Sequence, residues 1–123
     1  MKNYKAFAII SLLVLSTVTL SAQKSDVKPE GNWSFTAEGA EYGYNKGNLI
    51  ISLEGKELKG ELVFDEYSKF KTVEMKLEGN DLDFKVYIEG ESVAIETTIT
   101  KDEMKGKVSY SGGTIPFNAT RKQ

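Results

Sequence analysis

Apolar and polar residues alternate at a period of two from Trp33 to the end of the chain. Successive side chains of a β-strand point to opposite faces, so this alternation predicts half-buried strands and not helices. No segment shows the 3.6-residue period of an amphipathic helix. The pattern predicts eight strands, whose inward faces are Trp33, Phe35 and Ala37; Leu49, Ile51 and Leu53; Leu58, Gly60, Leu62 and Phe64; Val73, Met75 and Leu77; Leu82, Phe84, Val86 and Ile88; Val93, Ile95, Thr97 and Ile99; Met104, Gly106, Val108 and Tyr110; Ile115, Phe117, Ala119 and Arg121.

Short turn sequences separate most of these strands. EGK, EGN, EGE and SGG place glycine where a tight turn needs a positive φ, and only the links 38–47 and 65–69 are longer. Tight turns join antiparallel neighbours, whereas parallel strands need long crossovers. The connections therefore predict an antiparallel meander.

Eight strands with one apolar face each must bury that face. Closing the sheet into a barrel does so and removes both unpaired edges. A two-sheet sandwich is the alternative, but connections made only of hairpins favour the barrel. We therefore expect an all-β fold, an eight-stranded antiparallel up-and-down barrel spanning residues 31–123.

The N-terminal residues have the pattern of an export signal. Lys2 and Lys5 precede a long apolar run, and SAQ offers a small-residue cleavage site near Ala22. We expect residues 1–22 to be a signal peptide and residues 23–30 a polar leader. The protein should then be exported to a periplasm or the extracellular space, with no membrane span in the mature chain.

The composition argues against catalysis and metal binding. The chain has no histidine and no cysteine, which are the commonest bases, nucleophiles and metal ligands. The acidic residues that lie near one another, such as Asp65 with Glu66 and Asp81 with Asp83, have the positions of solvated turns and outer faces. We expect a protein that is not an enzyme, with no catalytic residues, no metal and no cofactor.

The charge balance bears on the partners. The predicted signal contains two of the sixteen basic residues and none of the eighteen acidic ones, so the mature chain has fourteen against eighteen, a formal charge of −4. Lysines and glutamates are interspersed, and no basic stripe is present to neutralise phosphates. Nucleic acid is therefore not an expected partner, and we expect a monomer.

Gly31, Asn32 and Trp33, the last of these the only tryptophan, resemble the G-x-W signature that opens the first strand of calycins such as lipocalins. The chain is also similar to short lipocalin-like modules of exported bacterial proteins. In calycins this tryptophan plugs the closed end of the barrel, and a basic residue of the last strand covers it. The resemblance implies that Arg121, the inward-facing residue of the last predicted strand, has this role. We interpret Trp33 and Arg121 as structural closure and not as a binding site.

Several family features are missing. No helix follows the eighth predicted strand, unlike lipocalins, and no helix pair lies between the first strands, unlike fatty-acid-binding proteins. Avidins line their pocket with several tryptophans, so biotin binding is not implied.

Aromatic residues concentrate at the end of the predicted barrel opposite Trp33. Their apolar rings and polar tips suit the mouth of a cavity or a protein contact. Local packing of Tyr42 and Tyr44 against a strand is an equally good interpretation. The predicted ligand-binding residues of this open end are Tyr42, Tyr44, Phe64, Tyr67, Phe70 and Tyr110.

The leading functional hypothesis is a barrel that binds a small apolar or aromatic molecule at its open end. The alternative is an interaction module, for instance an inhibitor-like barrel that presents these loops to an exported protein. The pattern places no charged residue among the inward positions toward the mouth. A ligand should therefore be mainly apolar, with any polar end near the tyrosines. Side chains of this size predict a shallow cup. The inward positions that support this are Phe35, Leu49, Leu62, Phe84, Ile95 and Val108.

Overall fold

The structure is a computed structural model that describes residues 27–122. The predicted signal peptide therefore lies outside the described residues. The described part of the chain forms eight strands and no helix: β1 Gly31–Thr36, β2 Lys46–Glu54, β3 Glu57–Asp65, β4 Ser68–Glu78, β5 Asp81–Ile88, β6 Glu91–Thr100, β7 Glu103–Tyr110 and β8 Gly113–Arg121.

The strands form one closed antiparallel barrel in sequence order. Each strand pairs with the next, and β8 returns to β1, where Trp33 lies opposite Arg121 and Phe35 lies opposite Ala119. The predicted eight-stranded up-and-down barrel is thus confirmed. No edge of the sheet among the described strands is left without a neighbour.

The connections lie alternately at the two ends of the barrel. Two-residue turns join β2 to β3, β4 to β5 and β6 to β7 at the end where β1 begins. We call this the closed end. The links 37–45, 66–67, 89–90 and 111–112 lie at the opposite end, which we call the open end.

The inward side chains form a single core. The six inward positions expected to support the cup are all buried, as are Ile51, Leu82, Ile99 and Met104 nearer the closed end. Leu53, which was also expected to point inward, is 50% exposed. Thr97 is the one buried polar residue among residues 27–122. Its hydroxyl donates a 2.8 Å hydrogen bond to the carbonyl oxygen of Leu82. The side chain is therefore satisfied within the core.

Strand β4 departs from the predicted alternation. Val73, which was expected to point inward, is 37% exposed, and the register against β5 shifts between Val73 and Lys76. Glu74 has a φ of +52°, which marks a bulge. Phe70 and Thr72 therefore point inward before the bulge, as do Met75 and Leu77 after it. The prediction for Val73 was wrong because the extra residue reverses the parity of the strand.

The closed end is built around Trp33. The indole is fully buried and donates a 3.0 Å hydrogen bond from Nε1 to the carbonyl oxygen of Pro29. The Arg121 guanidinium lies over the ring, with Cζ 4.3 Å from the ring centroid. A planar cation held against an aromatic face gains both packing and electrostatic attraction. The expected contact of the two residues is therefore present.

Arg121 also holds the segment that leads into the barrel. Its Nη1 and Nη2 donate to the carbonyl oxygens of Glu30, at 2.6 Å, and of Lys28, at 2.9 Å, while Nε donates to Asp102 Oδ1 at 2.9 Å. Gly31 has a φ of +136°, and a Cβ at that position would lie 2.9 Å from Nη1. The glycine of the G-x-W sequence is thus required by its backbone conformation, and its lack of a side chain leaves room for the guanidinium beside it.

Replacing Arg121 with alanine should expose the indole and leave two backbone carbonyls without their donor. We expect Arg121→Ala to lower the free energy of unfolding by about 1–3 kcal/mol and to shift the emission of Trp33 to longer wavelength. Arg121→Lys keeps the charge but loses the fork of donors, so it should be intermediate. Denaturant titration followed by tryptophan fluorescence measures both effects. An alanine variant with unchanged stability and unchanged emission would contradict this account of the closed end.

Candidate functional site

The open half of the barrel contains a cavity of about 500 Å³. Its wall is mostly aliphatic and aromatic, with two tyrosines, a serine and three glutamates near the mouth. The lining residues are Phe35, Ala37, Ala40, Glu41, Tyr44, Leu62, Ile88, Glu89, Glu91, Val93, Ile95, Val108, Tyr110, Ser111, Gly112, Ile115 and Phe117.

The cavity ends halfway along the barrel. Phe35 and Phe117 stack with their ring centroids 5.2 Å apart and, with Leu62, form part of the floor. Beyond them, fully buried side chains such as Leu49 and Met104 occupy the closed half. The hollow is therefore a cup that opens at the mouth, as the size of the inward side chains predicted.

The loop 37–45 lies across one side of this mouth. Its backbone is held by hydrogen bonds from Ala37 N to Asn45 O and from Tyr44 N to Glu41 O. Gly39 has a φ of +105°, and a Cβ there would lie 3.0 Å from the side chain of Ile115, so the loop approaches β8 closely. The loop thus borders the cavity and is ordered by its own turn.

Tyr44 connects this loop to the opposite side of the mouth. Its hydroxyl donates a 2.7 Å hydrogen bond to Glu89 Oε2, in the turn between β5 and β6. Its ring meets Phe64 edge to face, with centroids 5.0 Å apart, and Phe64 in turn contacts Phe35 and Phe70. The hydrogen bond and the neighbouring carboxylates raise the pKa of Tyr44 above its usual 10.0, since both disfavour the phenolate.

The glutamates at the mouth were not identified from the sequence. Glu89 lies in a two-residue turn with Gly90, and both have positive φ values, +53° and +83°. Glu91 Oε2 accepts a 2.6 Å hydrogen bond from the backbone N–H of Ser111. Hydrogen bonding from the side chain and the backbone of Ser111 lowers the pKa of Glu91 from its ordinary value, because it favours the charged carboxylate. The expectation that no charge interrupts the inward positions was therefore wrong at Glu91.

A signal for Glu91 was present in the sequence. It has the same parity as Val93 and Ile95, both of which point inward. A glutamate next to a turn is normally solvated, so its parity alone does not predict that it points inward. No such signal exists for Glu89, because its position in a turn does not fix the direction of its side chain.

The predicted open-end residues fall into three groups. Tyr44 and Tyr110 line the cavity. Phe64 and Phe70 lie behind the wall, in ring contact with each other at 5.9 Å. Tyr42 and Tyr67 do not line the cavity and are 97% and 88% exposed.

Local turns explain the exposure of the last two tyrosines. Asp65 Oδ1 accepts hydrogen bonds from the backbone N–H groups of Tyr67 and Ser68, both 2.8 Å, which forms a tight turn with Tyr67 at its tip. Tyr42 lies inside the turn closed by the bond from Tyr44 N to Glu41 O. Both side chains therefore project from turn tips and not from a strand face.

The cavity wall contains acidic groups but no cationic one. Neither lysine nor arginine is among the residues that line it. Within residues 27–122, no group of three or more acidic side chains has an arrangement that could hold a metal ion. The same residues include no helix long and apolar enough to cross a membrane.

Comparison with known proteins supports the fold. No protein-family model matches the chain, and no curated protein does so either. The structure of fatty-acid-binding protein 1 from Echinococcus granulosus is similar, with a TM-score of 0.51 and 14% identity over 76% of this chain and 97% of that chain. A mutant of the fluorescent protein UnaG has a TM-score of 0.49 and 13% identity over 76% of this chain and 96% of that chain. The first similarity shows that the two chains share a β-barrel fold.

The bond between Tyr44 and Glu89 should hold the loop 37–45 against the mouth. Tyr44→Phe keeps the ring against Phe64 but removes the hydroxyl, so we expect faster amide hydrogen exchange in residues 38–45 and little change in the strands. Tyr42→Phe, at an exposed position of the same loop, is the matched control. Exchange measured by mass spectrometry or NMR tests this. Equal rates in the Tyr44→Phe variant and the wild type would show that the bond does not order the loop.

Proposed function

We propose that this protein is a non-catalytic binding barrel that takes a small apolar or aromatic molecule into the cavity at its open end. The observation that carries the proposal is the hollow of about 500 Å³, with an aliphatic and aromatic wall, above the buried side chains of the closed half, such as Leu49 and Met104. Small-molecule sites in proteins are typically concave, mostly apolar and roughly 300–1,000 Å³ in volume. The cavity lies within this range.

The comparison with known structures agrees with a binding role. The similar structure from Echinococcus granulosus is that of a fatty-acid-binding protein. A shared fold does not by itself transfer a ligand. The similarity does support a barrel whose interior takes an apolar molecule, and the wall of this cavity is mostly apolar.

The chemistry of the wall supports a non-catalytic role. Glu89 and Glu91 are engaged by Tyr44 and by the backbone of Ser111. The chain offers neither a histidine nor a cysteine to serve as base or nucleophile. The proposed function therefore consists of binding and release.

Binding can be tested with a neutral apolar dye such as Nile red. We expect saturable fluorescence enhancement by the wild type, and at least about a tenfold loss of affinity in Val108→Trp, because an indole at this wall position fills the cavity. Tyr87→Trp adds the same ring at a half-exposed position outside the cavity wall and should bind normally. Thermal unfolding of both variants serves as the control that each of them is folded.

The dye experiment has a clear negative outcome. If the wild type shows no saturable binding, or if Val108→Trp binds as well as Tyr87→Trp does, the cavity is not a binding site.

Protein binding is a second candidate, favoured by Tyr42 and Tyr67. Both rings project almost fully exposed from the open end, and tyrosine is enriched in protein interfaces. In that case the loops and not the cavity are the functional surface. Tyr42→Ala combined with Tyr67→Ala would then abolish partner binding and leave dye affinity unchanged.

We further propose that the protein is exported as a monomer, with residues 1–22 as its signal peptide. Lys2, Lys5 and the apolar run before Ala22 support this. Expression of the full chain in a bacterial host should yield a mature protein that starts at or within one residue of Gln23. Mass spectrometry of the secreted or periplasmic fraction measures this start. An uncleaved chain retained in the cytoplasm would contradict it.

A further inference from the structure

The polar groups at the mouth have one sign. Glu41, Glu89 and Glu91 all line the cavity, and no lysine or arginine does. The walls below them are apolar and shielded from water, which strengthens the effect of charges placed at the rim. A molecule bound in the cup would therefore place its polar end among carboxylates.

We propose that the cavity selects apolar molecules that end in an amine or another cationic hydrogen-bond donor, and disfavours fatty-acid carboxylates of the same length. This inference rests on the proposed function, because it concerns the ligand class of the same cavity. The cavity, with its apolar walls and its acceptors at one end, is the feature that carries it.

The carboxylates keep accepting capacity. Tyr44 donates to Oε2 of Glu89, and the Ser111 N–H donates to Oε2 of Glu91. An ionised carboxylate has about four acceptor positions, and these contacts do not use all of them. Each carboxylate is thus oriented by the protein and can accept a further bond from a ligand.

The lysines near the open end do not neutralise these glutamates. Lys46 and Lys69 are exposed, and their chain neighbours Gly47 and Phe70 occupy the inward parity of β2 and β4. Adjacent residues of a strand point to opposite faces, so both lysines lie on the outside of the barrel. The charge at the mouth is therefore uncompensated from within the wall.

A fatty-acid carboxylate would find no cationic partner in the cavity wall. Arg121 is the only arginine of the chain, and it is held at the closed end by Asp102 and two backbone carbonyls. Bound in the cup, a carboxylate would lie beside charges of the same sign, while it lost part of its hydration. A protonated amine in the same place would be attracted to the carboxylates that repel the fatty acid.

The test compares three ligands of equal chain length: decylamine, decanol and decanoate. Each displaces Nile red from the whole mature protein at pH 7 and low ionic strength, below the concentration at which the ligands aggregate. We expect decylamine to bind tightest, decanol next and decanoate weakest. The carboxylates attract the ammonium group of decylamine and repel the carboxylate of decanoate. The affinities of these two ligands should therefore differ by about tenfold or more.

Variants assign the preference to the mouth. Glu89→Gln and Glu91→Gln should each reduce the ratio of amine to acid affinity by about threefold to fivefold, because glutamine keeps an accepting oxygen and removes the charge. Glu66→Gln is the matched control, since it removes the same charge from a loop of the open end that does not line the cavity. It should leave the ratio close to that of the wild type.

The outcomes separate the two proposals. If decanol binds and decanoate binds as tightly as decylamine, the ligand class inferred here is wrong and the binding function stands. If Glu66→Gln lowers the ratio as much as Glu89→Gln does, net charge and not the mouth sets the preference, and the inference is overturned. If neither the dye nor any of the three ligands binds, the proposed function fails and the inference fails with it.

Discussion

The pairing of β8 with β1 is the interaction on which the rest of the structure depends. It closes the sheet, so that every described strand has two neighbours and every inward face meets another. Arg121 stabilises this seam, because it pairs with Trp33 in the ladder, covers the indole and binds the carbonyls of the entering segment. A small chain without disulfides has only its core and its backbone ladder for stability. One side chain that links the first strand, the last strand and the leader is therefore disproportionately important.

Closure at one end also determines where the barrel is hollow. Buried side chains such as Trp33, Leu49 and Met104 occupy the closed half, where Arg121 and the entering segment cover the end of the barrel. Toward the open end the side chains of the wall surround a void. The packed half supplies the rigidity that the cavity needs, because its floor is part of the continuous core.

The character of the mouth arises from connections and not from strands. The loop 37–45 provides Tyr44, and the turn between β5 and β6 provides Glu89, which it meets across the opening. Glu91 enters from the first residue of β6 and is oriented by the N–H of Ser111. Residues in loops and turns can be substituted with little effect on the packing of the core, since loops tolerate change better than packed strands do. Proteins with the same barrel fold can thus differ in the groups at their mouths.

The sequence by itself determined the strands and their closure. A period of two and glycine turns specify hairpins, and eight apolar faces must be buried together, so the barrel was predictable. The contact of Trp33 with Arg121 was an expectation from the resemblance of Gly31, Asn32 and Trp33 to the calycin signature, to which the inward parity of Arg121 conforms. It did not determine the bulge, because Thr72 gave no apolar signal that the parity of β4 changes at Val73. Nor did it separate Tyr44, which borders the cavity, from Tyr42, which projects from a turn tip two residues away. Only the tertiary structure decided these points, since the direction of a side chain in a loop depends on which distant residue it meets across the mouth.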